Sequence, residues 1–205
     1  MATNIYYFVF DGLSDWEAGY AIAGINTQQY QRLAGAFRIL TASPSGNDVV
    51  TAGGLRIRPD LVLIRDLDPA ACRLLILPGG APWDKGDYAD IAAFAGHVLA
   101  SGGAVAAICG ATAGLARAGL LDKVRHTSNA RGYLEATGYK GGALYQDAPA
   151  VTDGRLITAS ATAPVDFAYH IFRELDLYKP DVLEAWFGLF RTGKAEYFAA
   201  LSKAA

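Results

Sequence analysis

The chain has 205 residues, a formal net charge of −2, 52% hydrophobic residues and 19% charged residues. This composition excludes an intrinsically disordered chain, and the length predicts one domain over residues 1–205. Because no basic patch is present, we expect neither nucleic acid nor a membrane as a partner. Two cysteines and three histidines are too few for a disulfide framework or a zinc module, so no metal or cofactor is predicted.

The first residues show no basic region leading into an apolar segment, and we expect a cytoplasmic protein with reduced thiols. The longest uncharged stretch runs from Val98 to Ala116 and is interrupted by Ser101-Gly102-Gly103. It therefore predicts a helix end, a buried strand and a helix start rather than a membrane span.

Apolar runs of strand length alternate with helical patterns. The predicted strands are Ile5–Phe10, Phe37–Ala42, Leu74–Leu77, Ala104–Ile108 and Val124–Thr127, with hairpins at Val49–Thr51/Leu55–Arg58 and Ala150–Thr152/Leu156–Ala159. The predicted helices are Ser14–Asn26, Tyr88–Ala100, Gly110–Leu120, Arg131–Thr137, Ala163–Leu175, Pro180–Thr192 and Lys194–Ser202. This alternation predicts an α/β fold, with a mostly parallel sheet and helices on both faces. Functional residues are expected just beyond the carboxyl ends of the strands.

Cys109 lies between a predicted buried strand and a helix that starts at Gly110. The residues two positions away, Ala107 and Ala111, are small, which is typical of a nucleophile elbow. A sulfur at a helix N-terminus favours the thiolate, so we expect a thiol pKa well below about 8.5. The alternative is that Cys109 is a small buried hydrophobic residue. Cys72 lacks this setting and is predicted to be inert.

Two other strand ends offer partners for such a cysteine. Gly79 and Gly80 follow a central strand, where their N–H groups could form an oxyanion hole, or the segment could be a plain tight turn. Glu17 completes a Ser-x-x-Glu capping box that begins at Ser14, and it could simply cap its own helix. Since that helix starts at the same sheet edge as Cys109, the Glu17 carboxyl could instead meet the thiol.

His126 is the histidine best placed to pair with a cysteine, because it follows the Cys109 helix in a short segment; it could equally be structural. His97 and His170 lie within helical patterns and are predicted to be packing or surface residues. The segment Gly188–Lys194 nearly spells a phosphate-binding loop. Because no strand precedes it, it predicts a helix end at Gly193.

Five motifs in order resemble the ThiJ/PfpI superfamily, which has the class I glutamine amidotransferase-like fold. They are Asp-Gly-Leu-x-Asp-Trp-Glu, Leu-Pro-Gly-Gly, Ala-Ile-Cys-Gly-Ala, His-Thr-Ser-Asn and Thr-Ala-Ser-Ala-Thr-Ala-Pro. The likeness covers roughly residues 4–200. It implies a flavodoxin-like three-layer sandwich, often dimeric, with a reactive cysteine at the elbow. Cys109 matches that cysteine, Glu17 the acidic residue that contacts it, and Gly79, Gly80 and Gly110 the backbone donors around it.

One departure limits what the resemblance implies. Family members called proteases carry histidine directly after the cysteine, whereas this chain has Gly110. Either His126 substitutes, or the site works with Cys109 and Glu17 alone. The family spans hydrolases, hydratases, glyoxalase-like enzymes, chaperones and redox sensors, so the fold does not decide the chemistry.

The predicted function is a cysteine-dependent enzyme that acts on a small molecule, with hydrolase, amidotransferase-like or hydratase/lyase chemistry. Cys109 is the expected nucleophile, and Glu17 is expected to be protonated and to move a proton. The alternatives are a redox-sensing or stress-protective protein whose Cys109 is oxidised without turnover, and a catalytically silent binding module. The C-terminal helices over about residues 180–203 are rich in aromatic residues and are expected either to cover the sheet or to form a homodimer interface.

Overall fold

The computed structural model describes residues 3–204, and its centre is a seven-stranded sheet. The nine strands are β1 (Thr3–Phe8), β2 (Phe37–Ser43), β3 (Val49–Val50), β4 (Arg56–Ile57), β5 (Leu61–Val62), β6 (Leu74–Leu77), β7 (Ala104–Ile108), β8 (Ala150–Asp153) and β9 (Leu156–Ala159). The large sheet has the order β5-β2-β1-β6-β7-β9-β8, while β3 and β4 form a separate antiparallel pair. All neighbours in the large sheet are parallel except β8 and β9.

The described residues form eight α-helices, several of which pack against this sheet. They are α1 (Asp15–Asn26), α2 (Ala81–Lys85), α3 (Ala89–Ala100), α4 (Gly110–Arg117), α5 (Arg131–Glu135), α6 (Pro164–Glu174), α7 (Pro180–Thr192) and α8 (Ala195–Ala204), with short 3₁₀ helices at Gln28–Tyr30, Pro69–Ala71 and Gly142–Leu144. Helices α1, α6 and α7 pack in one group, and α2, α3 and α4 pack in another. The arrangement confirms the predicted flavodoxin-like three-layer sandwich.

The central strands are buried along their whole length, as expected for parallel strands with helices on both faces. Every residue of β6 and β7 is inaccessible to solvent, which explains why these strands are continuous apolar runs in the sequence. Within the group on the α4 side, Gly114 lets the indole of Trp83 lie against the helix. A Cβ at Gly114 would come within 2.3 Å of that ring.

One local prediction is wrong, and two short elements were not predicted. Val124–Thr127 is not a strand, because only His126 forms an isolated bridge, with Tyr145. The short edge strand β5 and the one-turn helix α2 were not predicted, since two-residue and five-residue elements carry too little periodicity. The end of α7 matches its prediction: Gly193 adopts φ 70° in the left-handed region, and α8 follows. No helix within residues 3–204 is both long enough and apolar enough to cross a membrane.

Candidate active site

Cys109 lies in a strained turn between β7 and α4. Its backbone has φ 57° and ψ −126°, a combination that non-glycine residues rarely adopt. The turn is held by the Cys109 N–H, which donates to the Ala159 carbonyl at 3.0 Å, and by the Thr112 N–H, which donates to the Cys109 carbonyl at 3.1 Å. Ala107 and Ala111 flank the turn and are fully buried. The geometry is that of a nucleophile elbow, with a partly exposed thiol at the start of a helix.

Glu17 reaches this turn from the first turn of α1 and is 0% exposed. Its Oε2 accepts a hydrogen bond from the Gly79 N–H at 2.6 Å. Its other oxygen, Oε1, is buried and has no hydrogen-bond partner among the described residues. Ser14 makes no side-chain capping bond. The carboxyl therefore does not close the predicted capping box; it is turned into the site.

The position of Gly79 shows how close the two side chains lie. A Cβ at Gly79 would be 2.9 Å from the Cys109 Sγ and 2.9 Å from the Glu17 Oε2. Glycine is required here because any side chain would separate the carboxyl from the thiol. Glu17 and Cys109 thus form one buried pair of acidic groups.

Burial governs the protonation of this pair. It raises the pKa of Glu17, although the Gly79 N–H favours the carboxylate. Burial, followed by the negative charge of Glu17, raises the pKa of the Cys109 thiol to about 11. The predicted low thiol pKa is therefore wrong for the resting site, since desolvation outweighs the helix N-terminus. Because two anions in one buried pocket repel each other, the pair keeps a proton at neutral pH.

Asn129 is the site residue that the sequence analysis missed. Its Nδ2 donates to the Cys109 Sγ at 3.4 Å, and this bond opposes the rise in the pKa of the thiol. Its Oδ1 accepts from the Ala161 N–H at 2.9 Å, which fixes the orientation of the amide. Asn129 ends the His-Thr-Ser-Asn motif, so the signal was present in the sequence. The position of the amide beside the sulfur depends on the fold.

The N–H groups of Gly79, Gly80 and Gly110 are the predicted oxyanion donors, and they are not equally free to bind a ligand. The Gly79 N–H is already bound to Glu17, which corrects its predicted role in an oxyanion hole. The Gly110 N–H points toward Cys109 and favours its thiolate, and at the first position of α4 it has no acceptor within the helix. Gly80 is partly exposed and lies against Gly110, since a Cβ at Gly110 would be 3.3 Å from the Gly80 nitrogen. Gly80 and Gly110 remain as candidate donors.

His126 does not meet Cys109. It is 0% exposed, with Nδ1 2.8 Å from the Val124 carbonyl and Nε2 3.0 Å from the Tyr139 hydroxyl. Since a carbonyl can only accept, Nδ1 carries the proton and Nε2 accepts from Tyr139. Burial lowers the pKa of His126, which keeps the ring neutral. The predicted catalytic role is corrected to that of a hydrogen-bonded core histidine.

Comparison with known proteins matches the DJ-1/PfpI family over residues 3–174. A Bacillus subtilis (strain 168) relative named uncharacterized protease YoaZ is 40% identical over 97% of this chain and 95% of its own length. The chain belongs to the DJ-1/PfpI family.

Solved DJ-1/PfpI structures have the same architecture. A thiJ/pfpI family protein from Bacillus anthracis has a TM-score of 0.92 at 38% identity, with 100% of this chain and 97% of that chain covered. The DJ-1 superfamily protein Atu0886 from Agrobacterium tumefaciens has a TM-score of 0.83 at 34% identity, with 93% and 98% covered. These comparisons confirm the family resemblance that the five motifs predicted.

Two cavities of this DJ-1/PfpI chain are large enough to hold a ligand or a partner segment. A polar cleft of about 290 Å³ includes Ser128 and Asn129 in its lining; Cys109 does not line it, but the Asn129 Nδ2 lies 3.4 Å from the Cys109 Sγ. A larger apolar groove of about 690 Å³ lies away from the sulfur, between α1 and the helices α7 and α8. Within residues 3–204 no cluster of three or more His, Cys, Asp or Glu side chains is placed to hold a metal ion.

Proposed function

We propose that this protein is a cysteine-dependent hydrolase of small carbonyl compounds such as amides, esters or thioesters, with Cys109 as nucleophile and Glu17 as proton carrier. One observation carries the proposal. A thiol held in a strained turn lies close to a buried carboxyl whose Oε1 makes no hydrogen bond to any residue between 3 and 204. A base next to a thiol is what activates a nucleophile that is protonated at rest.

The first half of the reaction transfers the acyl group to sulfur. As Sγ attacks the carbonyl carbon, the proton of the pair is left on Oε1 of Glu17, the S–C bond forms and the carbonyl π electrons move onto oxygen. The N–H groups of Gly80 and Gly110 are the candidates to stabilise that oxyanion. When the carbonyl reforms, the leaving group departs with the proton from Glu17, and a thioester remains on Cys109.

The second half regenerates the enzyme. Glu17 accepts a proton from water, and the resulting hydroxide attacks the thioester. The S–C bond breaks, Glu17 returns the proton to sulfur and the acid is released. Burial supports this exchange, because it raises the pKa of the Glu17 carboxyl and so makes the carboxylate a stronger base.

The cleft size supports a small molecule rather than a folded protein as substrate. A volume of about 290 Å³ is at the lower limit of ordinary ligand sites. The relative YoaZ is named a protease, which agrees with hydrolysis as the reaction class. His126 contributes no base, so the two-residue pair of Cys109 and Glu17 must suffice.

The test is a screen of small amides, esters, thioesters, aldehydes and isonitriles, with unfolded casein added as a protease substrate. We expect turnover of a small compound that is lost in Cys109→Ser and retained in Cys72→Ser, the matched control at a buried cysteine. Turnover that survives in Cys109→Ser would contradict the proposal. A gain of oxygen mass on Cys109 at low peroxide, without turnover of any compound, would favour the redox-sensing function instead.

A further inference from the structure

The polar cleft beside Cys109 begins one strand away from the nucleophile. Ile108 and Ala159 are paired neighbours at the ends of β7 and β9. The residues that follow them, Cys109 and Ser160, therefore lie about one strand spacing apart, roughly 5 Å. Ser160 lines the cleft, and so does Asn129, whose Nδ2 contacts the sulfur. Asn129 thus connects the cleft to the sulfur, although Cys109 does not itself line the cleft.

Arg191 is the single cationic side chain among the residues that line the cleft. It comes from the last turn of α7, and its Nη1 donates to the Asp166 Oδ2 at 2.9 Å. The side chain of Asp166 is only 11% exposed, whereas that of Arg191 is 47% exposed. Asp166 therefore holds the guanidinium from the protein side. The other N–H groups make no hydrogen bond to the residues between 3 and 204 and are free for a ligand.

The backbone adds positive potential at the same place. Helix α6 has its N-cap at Ala163, a lining residue of the cleft. A helix N-terminus favours negative charge. Two carboxylates oppose this: Asp166, which is paired with Arg191, and Asp147, an exposed lining residue that makes no ion pair within the described part of the chain. Its charge is screened by solvent and is not held against the guanidinium.

We propose that this cleft is the substrate subsite and that Arg191 binds a carboxylate of the substrate while Sγ attacks a carbonyl carbon elsewhere in the same molecule. The substrate class is then a small amide, ester or thioester that also carries a carboxylate group. A guanidinium with free N–H groups matches a carboxylate in charge and in geometry. This inference rests on the proposed function, because it names the substrate class of the same site.

The test uses two alkylating reagents of almost the same size, iodoacetate and iodoacetamide. In both reactions Sγ displaces iodide, so an S–C bond forms and a C–I bond breaks. The measured quantity is the iodoacetate-to-iodoacetamide ratio of rate constants at Cys109, divided by the same ratio for free glutathione. We expect Arg191→Gln to lower this ratio about five-fold and added salt to lower it in the wild type.

Removing a nearby negative charge should raise the iodoacetate-to-iodoacetamide ratio, and removing a distant positive charge should leave it unchanged. Asp166→Asn leaves the guanidinium uncompensated and should raise the ratio, as should Asp147→Asn. Arg155→Gln is the matched control. Its guanidinium is 51% exposed and paired with Glu174, but it precedes β9 and so lies at the opposite edge of the sheet. We expect no change there.

A ratio unchanged in Arg191→Gln, or one that does not rise in Asp166→Asn, would overturn the inference. If Arg191→Gln does not fold, the salt dependence and the two aspartate variants decide the question. The outcome is separate from that of the proposed function, because the turnover test compares Cys109→Ser with the wild type and uses no Arg191 variant. With a substrate identified, Arg191→Gln should raise KM for the carboxylate compound more than for its neutral amide.

Discussion

The Gly79 N–H donates a hydrogen bond to the Glu17 carboxyl at 2.6 Å, and this bond fixes the position of the carboxyl. It turns the side chain away from the first turn of α1 and into the pocket of Cys109. The same bond removes Gly79 from the group of possible oxyanion donors. The Ser-x-x-Glu motif predicts that the Glu17 carboxyl caps its own helix, but in the folded protein the carboxyl binds the Gly79 N–H instead.

Glu17→Gln should move the pH profile of Cys109 alkylation to lower pH. In the alkaline range where the thiol titrates, the Glu17 carboxylate is the second-largest cause of its raised pKa. Removing that charge makes the thiolate easier to form. The rate of iodoacetamide labelling from pH 6 to 11, followed by mass spectrometry, gives the midpoint. Turnover should nevertheless fall about 100-fold or more, because an amide cannot carry the proton.

Cys72 supplies the internal control for that experiment. Burial raises its pKa to about 12, and Glu17 has no part in that shift, so its labelling should be the same in both proteins. A Cys109 profile that superimposes on that of the wild type would contradict the role of Glu17 as the partner of the thiol.

Variants of Asn129 should raise the pKa of the Cys109 thiol, and by different amounts. Its amide lowers the pKa of Cys109, so Asn129→Ala should move the alkylation midpoint to higher pH. Asn129→Asp keeps an acceptor for the Ala161 N–H but adds a negative charge beside Sγ, and should move the midpoint further. We expect the midpoint pH to be lowest in the wild type, higher in Asn129→Ala and highest in Asn129→Asp. An Asp variant at or below the wild-type midpoint would remove Asn129 from the site.

The elbow and its carboxyl could be predicted because their signals are local. Small residues on both sides of Cys109, placed between a buried strand and a helix, specify the turn without reference to the rest of the fold. The position of Glu17 at the same sheet edge follows from the parallel topology. The short strand β5 and helix α2 carry no such signal.

The electrostatics of the site could not be predicted, because they depend on packing between distant segments. The helix N-terminus predicts a low thiol pKa, but burial of the sulfur beside Glu17 reverses the sign. His126 illustrates the same limit: its motif supplies an imidazole, and Tyr139 and the Val124 carbonyl occupy both of its nitrogens. The identity of a residue is local, whereas its hydrogen-bond partners are a property of the fold.

We propose that the apolar groove between α1 and the helices α7 and α8 is covered by a second copy of the chain. Trp16 and Phe198 line the groove and are 57% and 63% exposed. Tyr20 and Phe190 also line it, and their rings pack against each other. Aromatic residues are enriched at interface cores, and a patch of this kind is unusual on a monomer. Light scattering at micromolar concentration should give a dimer mass for the wild type and a lower average mass for Phe198→Glu.

Leu55→Glu is the control for the dimer, because Leu55 is also 63% exposed but lies outside the groove. It should keep the dimer mass. A monomeric wild-type protein would contradict the predicted homodimer.

Gly79→Ala should disable the site, whereas Gly132→Ala should leave it intact. A Cβ at Gly79 would lie 2.6 Å from the Cys109 Cβ, so the elbow or the Glu17 carboxyl must shift. We expect loss of turnover and a decrease of about 1–3 kcal/mol in the free energy of unfolding. A Cβ at Gly132, within α5, meets nothing within 4 Å, and alanine should stabilise the helix by about 0.5–1 kcal/mol. Denaturant unfolding and the labelling rate of Cys109 measure both effects. Full turnover in Gly79→Ala would show that the close approach of Glu17 to Cys109 is not needed for the chemistry.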